Sequence, residues 1–125
     1  MILTSEQIKG KLFSMQNSAH SLHLDTRSYA EHKALEFLYT ELATFKDELC
    51  ELIMGYQNGK RIGGAKLDEL PTYSQEAVTA MVKEGLSFAS ELEEWAEDKK
   101  YCDVENTAQA LSGVFAKTQY LLTLS

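Results

Sequence analysis

Residues 32–53 read HKALEFLYTELATFKDELCELI. Leu35, Leu38, Leu42, Phe45, Leu49 and Ile53 recur in steps of three and four, the spacing that lays one apolar stripe along an α-helix. This stretch is the centre of a helical segment expected from about Ala30 to Met54. Three more segments repeat the pattern. The first opens at Thr4, where Thr4-x-x-Gln7 fits a capping box, and carries Ile8, Leu12, Met15, Ala19 and Leu22 on one face. Asp25 to Tyr29 reads as a short connection to the second. The third follows the single Pro71, with Thr72-x-x-Gln75 as its expected cap and Val78, Met81, Phe88, Leu92 and Trp95 as its buried side. Gly85 falls among them, where a neighbouring helix is expected to come close. Asp103 is the expected N-cap of the fourth, whose stripe is Ala108, Leu111, Phe115, Thr118 and Leu122.

No segment alternates apolar and polar residues long enough to form a strand. The chain therefore reads as all-α, a single ferritin-like four-helix domain over residues 1–125, with a long crossover between helices 2 and 3. That crossover, residues 55–72, is long enough to traverse the bundle, whereas the other links are short. Part of it, Gly55 to Gly64, superficially resembles a phosphate-binding loop. Its spacing is one residue short, no Ser or Thr follows Lys60, and a helix precedes it, so no nucleotide site is expected.

Composition narrows the function. With 44% hydrophobic and 25% charged residues, the chain suits a folded domain and has no apolar run of the roughly 20 residues that a membrane span needs. Met1 to Glu6 lacks a basic segment followed by an apolar run, so no signal peptide is expected. Cys50 and Cys102 stand without Cys-x-x-Cys spacing, as two reduced thiols in a cytoplasmic protein. Nineteen acidic against twelve basic residues give a formal net charge of −7. That balance opposes attraction to nucleic acid or to anionic lipid.

The residues with metal chemistry are concentrated early. His20, His23 and His32 are the only histidines, and the second segment adds the pairs His32/Glu36 and Asp47/Glu51. On a helix, positions 32, 36, 47 and 51 fall at roughly 0°, 40°, 60° and 100°, one strip flanking the core stripe. Taken singly, such i, i+4 pairs are ordinary solvated surface pairs contributing a few tenths of a kcal/mol. Glu36 and Asp47 lie about 16 Å apart along one helix, too far to share an ion bonded at about 2 Å. Residues 73–125 contain no histidine, so a di-iron set of the usual Glu and Glu-x-x-His kind is not available within one chain. Two antiparallel copies of the second helix about a twofold axis would bring His32/Glu36 of one to Asp47/Glu51 of the other, giving two identical sites. His20 is placed to join them. His23, nearer the core stripe, is expected to be structural or to support the ligands from behind. Imidazoles mixed with carboxylates suit iron, manganese or zinc.

The spacing His20-x11-His32-x3-Glu36-x10-Asp47-x3-Glu51 resembles the ferroxidase signature of the Dps family, the mini-ferritins. Ser28 to Glu51 is similar to that family's second helix, and Asp103-x3-Thr107 with Lys117-x2-Tyr120 to its last. The resemblance implies oxidation of ferrous iron at di-metal sites across twofold interfaces, with storage as ferric mineral. His20, His32 and Glu36 would come from one subunit and Asp47 and Glu51 from its partner, in a homodimer at least and a dodecamer at most. The sequence departs from the family at Glu36, where aspartate is usual, and at Ser21, where tryptophan is usual. It also has no lysine-rich terminal arm, so DNA binding does not carry over. Two other functions fit the same pattern: a helical interaction or scaffold protein, and a non-oxidising metal-binding module.

Overall fold

Thr4 starts the first helix as its spacing predicts. Its hydroxyl accepts from the Gln7 backbone N–H, and the Gln7 side chain accepts in return from the Thr4 N–H. In the computed structural model, which describes residues 3–125, the helices are α1 (Ser5–Asp25), α2 (Tyr29–Tyr56), α3 (Gln75–Lys99) and α4 (Cys102–Leu121). Met1 and Ile2, part of the N-terminal stretch and of the single-domain span read from the sequence, lie outside the described residues. The all-α four-helix bundle expected from periodicity is the fold. No helix among the described residues is long and apolar enough to cross a membrane.

The crossover gives the bundle its topology. Ser5 bonds to Gln57, Lys9 donates to the Gly63 carbonyl, Ser14 accepts from the Asp68 N–H, and Thr26 lies against Tyr73. Residues 57–74 thus run alongside α1 in its own direction, back to the end where α2 begins. Tyr73 is tied there by its hydroxyl to Glu31, which also accepts from Thr26 at 2.7 Å. It follows that α2 and α3 point the same way, with α1 and α4 opposed to them. Lys11–Glu84, Lys117–Phe37 and Tyr56–Asp103 contacts fix these antiparallel neighbours. Among the described residues, the diagonal pairs α1–α4 and α2–α3 make no close approach.

The core is built largely on the stripes read from the sequence, with Phe45 and Leu122 only half-buried at its edge and Val82, Ala89, Ala96 and Val104 added to it. Ile8, Leu12, Leu22, Leu35, Leu38, Leu42, Leu49, Ile53, Leu92, Leu111 and Phe115 are fully buried. Gly85 is where two helices come closest, since a Cβ there would stand 2.2 Å from Phe115 Cε1. Gly10 does the same for the crossover, because an added Cβ would meet the Lys66 carbonyl oxygen at 2.5 Å. Cys50 is buried and Cys102 exposed, both free. Burial pushes the Cys50 thiol up, which keeps it protonated and unreactive at neutral pH.

Two helix starts differ from the sequence reading. Thr72 is not the cap of α3. The chain stays extended through Tyr73 so that its hydroxyl can reach Glu31, and Ser74 takes the cap by accepting from Ala77 N–H at 2.9 Å. Ser74→Ala is therefore expected to cost about 1 kcal/mol by denaturant unfolding, and Thr72→Ala close to nothing. Asp103 is not the cap of α4 either. Tyr101 holds that position without a side-chain cap bond, and Asp103 sits in the first turn, where its carboxylate accepts from the Tyr56 hydroxyl at 3.0 Å. The preceding helix stops at Lys100, whose φ of 63° lets Tyr101 N–H reach back to the Ala96 carbonyl.

Candidate metal site at the α1–α2 corner

Only Thr26, Arg27 and Ser28 separate α1 from α2. A link this short makes the two helices antiparallel neighbours, so residues equally far from the turn face each other. His23, in the last turn of α1, faces His32, in the first turn of α2. Their rings stack with centroids 3.7 Å apart and planes 20° from parallel. His23 Nδ1 lies 2.7 Å from the His32 carbonyl oxygen, and His32 Nδ1 lies 2.9 Å from the His23 carbonyl oxygen. A carbonyl only accepts, so both Nδ1 atoms must carry the hydrogen. In the neutral rings each Nε2 is then left with a free lone pair.

Half of this arrangement needs no ligand to explain it. The His23 carbonyl belongs to the last turn of α1, which has no later N–H of its own helix to satisfy it. His32 supplies the missing donor, and the pair ties the corner together. That tie does not account for Glu36. One turn beyond His32, its carboxylate comes within 4.8 Å of both histidines, measured between potential ligand atoms. Among the described residues, its ion pair is to Lys33 at 3.2 Å, with both side chains about half exposed, so the pair holds it only weakly. Two imidazoles with fixed tautomers beside a carboxylate form a donor set for zinc, ferrous iron or manganese, and a poor one for magnesium or calcium. Backbone carbonyls on Nδ1 are the partners that ligating histidines ordinarily have.

The structure brings together part of the sequence-derived set. His32 and Glu36 are in the cluster. His20 is exposed beside it, stacked on Tyr39 at 4.2 Å with its ring 5.9 Å from that of His23. Asp47 and Glu51 are exposed farther along α2, about 16 Å and about 22 Å from Glu36 by helical rise, and do not join it within one chain. His23 is the cluster member that the helical-angle reading left out of its candidate ligands, because it lies close to the core stripe. The short Asp25–Tyr29 connection contained the signal, since it sets the antiparallel register that pairs positions 23 and 32.

Two other features carry less chemistry. A groove of about 450 Å³ between α1 and α3, lined by Leu3, Phe88 and the Lys11–Glu84 pair, collects no metal-ligating set. At the far end of the bundle the Tyr56 hydroxyl is pushed up to about 12, chiefly by its hydrogen bonding with Cys102, with desolvation and the Asp103 carboxylate adding to this against the opposing Asp103 backbone N–H. It therefore stays protonated at neutral pH.

Comparison with known proteins removes one expectation. A protein of Enterobacteria phage T4, described as an uncharacterized 14.6 kDa protein in the mobD-ri intergenic region, is 27% identical over 121 residues, covering 96% of this chain and 88% of its own. No solved structure matches. The family that matches is not the Dps family or any ferritin-like one, so the mini-ferritin resemblance is corrected. Its α2 part, the i, i+4 pairs His32/Glu36 and Asp47/Glu51 beside the core stripe, is of a kind common on any long amphipathic helix. The positions that would have distinguished it fail together: Glu36 is not aspartate and Ser21 is not tryptophan. A family model described as "Family of unknown function (DUF5856)" matches residues 23–122, and the chain belongs to that family.

Proposed function

We propose that this protein binds a divalent transition-metal ion at the α1–α2 corner, through His23, His32 and Glu36. The observation that carries the reading is the reciprocal pair of Nδ1–carbonyl hydrogen bonds, which leaves both Nε2 lone pairs free beside a carboxylate. Directing both Nε2 atoms at a common ion requires the rings to tilt out of their stack, with His23 buried and His32 and Glu36 half-buried. Isothermal titration with zinc is expected to give one site per chain, lost in Glu36→Ala and His23→Ala. Undiminished binding in both variants would end the proposal, and no binding at all would leave the pair as a structural tie in an interaction module.

Oxidation of ferrous iron is the second reading. Two imidazoles and one carboxylate leave coordination positions open for an oxidant, which favours it. Its fuller form adds Asp47 and Glu51 from a second copy packed antiparallel along α2. Anaerobic ferrous loading followed by peroxide should then give a ferric absorbance rise that Asp47→Ala abolishes. Light scattering should in that case report a dimer or larger assembly.

A further inference from the structure

We infer that His20 supplies a fourth ligand, closing the corner into a three-imidazole, one-carboxylate clip that favours zinc; this rests on the metal-binding reading above. The register of the hairpin makes the case. One turn back along α1 from His23 is His20, and one turn on along α2 from His32 is Glu36. In antiparallel neighbours these two steps go in the same direction along the bundle, so His20 lies across from Glu36 as His23 lies across from His32. In the structure the His20 ring stands just off the cluster, stacked on Tyr39 one turn beyond Glu36 and 5.9 Å from the His23 ring, so it joins the ion by leaving that stack.

His20 is also free to move. It is exposed, and among the described residues it has no hydrogen-bond partner, so leaving Tyr39 breaks a ring contact and no polar one. The Tyr39 ring also meets His23 edge-on at 5.0 Å, so one ring of α2 touches both histidines of α1. Four protein ligands of nitrogen and oxygen type suit tetrahedral zinc, and a site with no open position is a structural one. The ion would then clamp the last turn of α1 to the first turns of α2. The same corner anchors the end of the crossover through Thr26, Glu31 and Tyr73.

Cobalt(II) tests this, because its visible absorption is strong when four-coordinate and weak when five- or six-coordinate. Wild-type protein titrated with cobalt is expected to show the strong bands. His20→Ala should keep a site but lose the strong bands and weaken binding by at least about tenfold, the lower end of what loss of even an outer-shell partner does to a metal site. Alanine at an exposed position of α1 leaves the helix intact, which circular dichroism checks. Equal bands and equal affinity in His20→Ala would overturn the fourth ligand while leaving the three-residue site standing. Absence of cobalt and zinc binding in wild-type protein would overturn both.

Discussion

Phe115→Ala is expected to destabilise the protein by about 3–5 kcal/mol, the usual cost of emptying a phenylalanine site in a close-packed interior. At this chain length that is a fall in melting temperature of roughly 10–20 °C. Phe115 is fully buried, and its ring lies across the groove that Gly85 leaves open, with three ring atoms where a Cβ would be. The ring is enclosed by α2, α3 and α4 and has little room to swing aside. Gly85→Ala alone is therefore expected to destabilise by about 1–3 kcal/mol through overpacking, against an intrinsic helix gain of about 1 kcal/mol for alanine over glycine. In the Phe115→Ala background the same change has the opposite sign. The new methyl enters space that the ring has vacated, and the helix gain is no longer opposed. A double-mutant cycle by urea unfolding reads the coupling directly. If Gly85→Ala costs the same in both backgrounds, the ring is not what excludes the Cβ.

That pairing shows what the sequence made legible. Gly85 within an otherwise apolar stripe marks a place where helices approach, and periodicity alone located the four stripes. Periodicity is a property of each helix by itself, so it found the helices and their buried faces. Helix starts depend on what the preceding chain is doing. Thr72 and Ser74 are both good caps, and the choice between them is made by Tyr73 reaching a distant Glu31, a contact that local spacing does not contain. The residues of the candidate site divide in the same way. His32 and Glu36 share one helix and were found from their i, i+4 spacing. His23 needed the turn geometry between two helices. A motif of five spaced residues on long helices carried too little information to identify a family, because acidic i, i+4 pairs beside a core stripe arise on solvated helices of every kind.

Zinc is expected to stabilise the wild-type protein measurably, and this separates a metal site from a structural histidine tie. An ion that binds only the folded state at a free concentration of 100 times its dissociation constant adds about 2.7 kcal/mol, a rise of roughly 10 °C in a thermal melt. His32→Ala removes one ligand and the donor to the His23 carbonyl. Without metal it should therefore cost about 1–3 kcal/mol, the penalty for an unpaired backbone acceptor, and zinc should restore little of it. Asp47→Ala keeps the full zinc shift if the ion sits at the α1–α2 corner alone, and loses it if a second chain's Asp47 completes the site. Acid should erode the shift in wild-type protein, because protons compete with the metal for the same imidazole nitrogens and binding must release them. The hydrogen bonds of the tie do not behave this way, since a protonated ring still donates from Nδ1. A zinc shift that is absent at neutral pH, with the His32→Ala penalty intact, would mean that the corner holds only its own backbone.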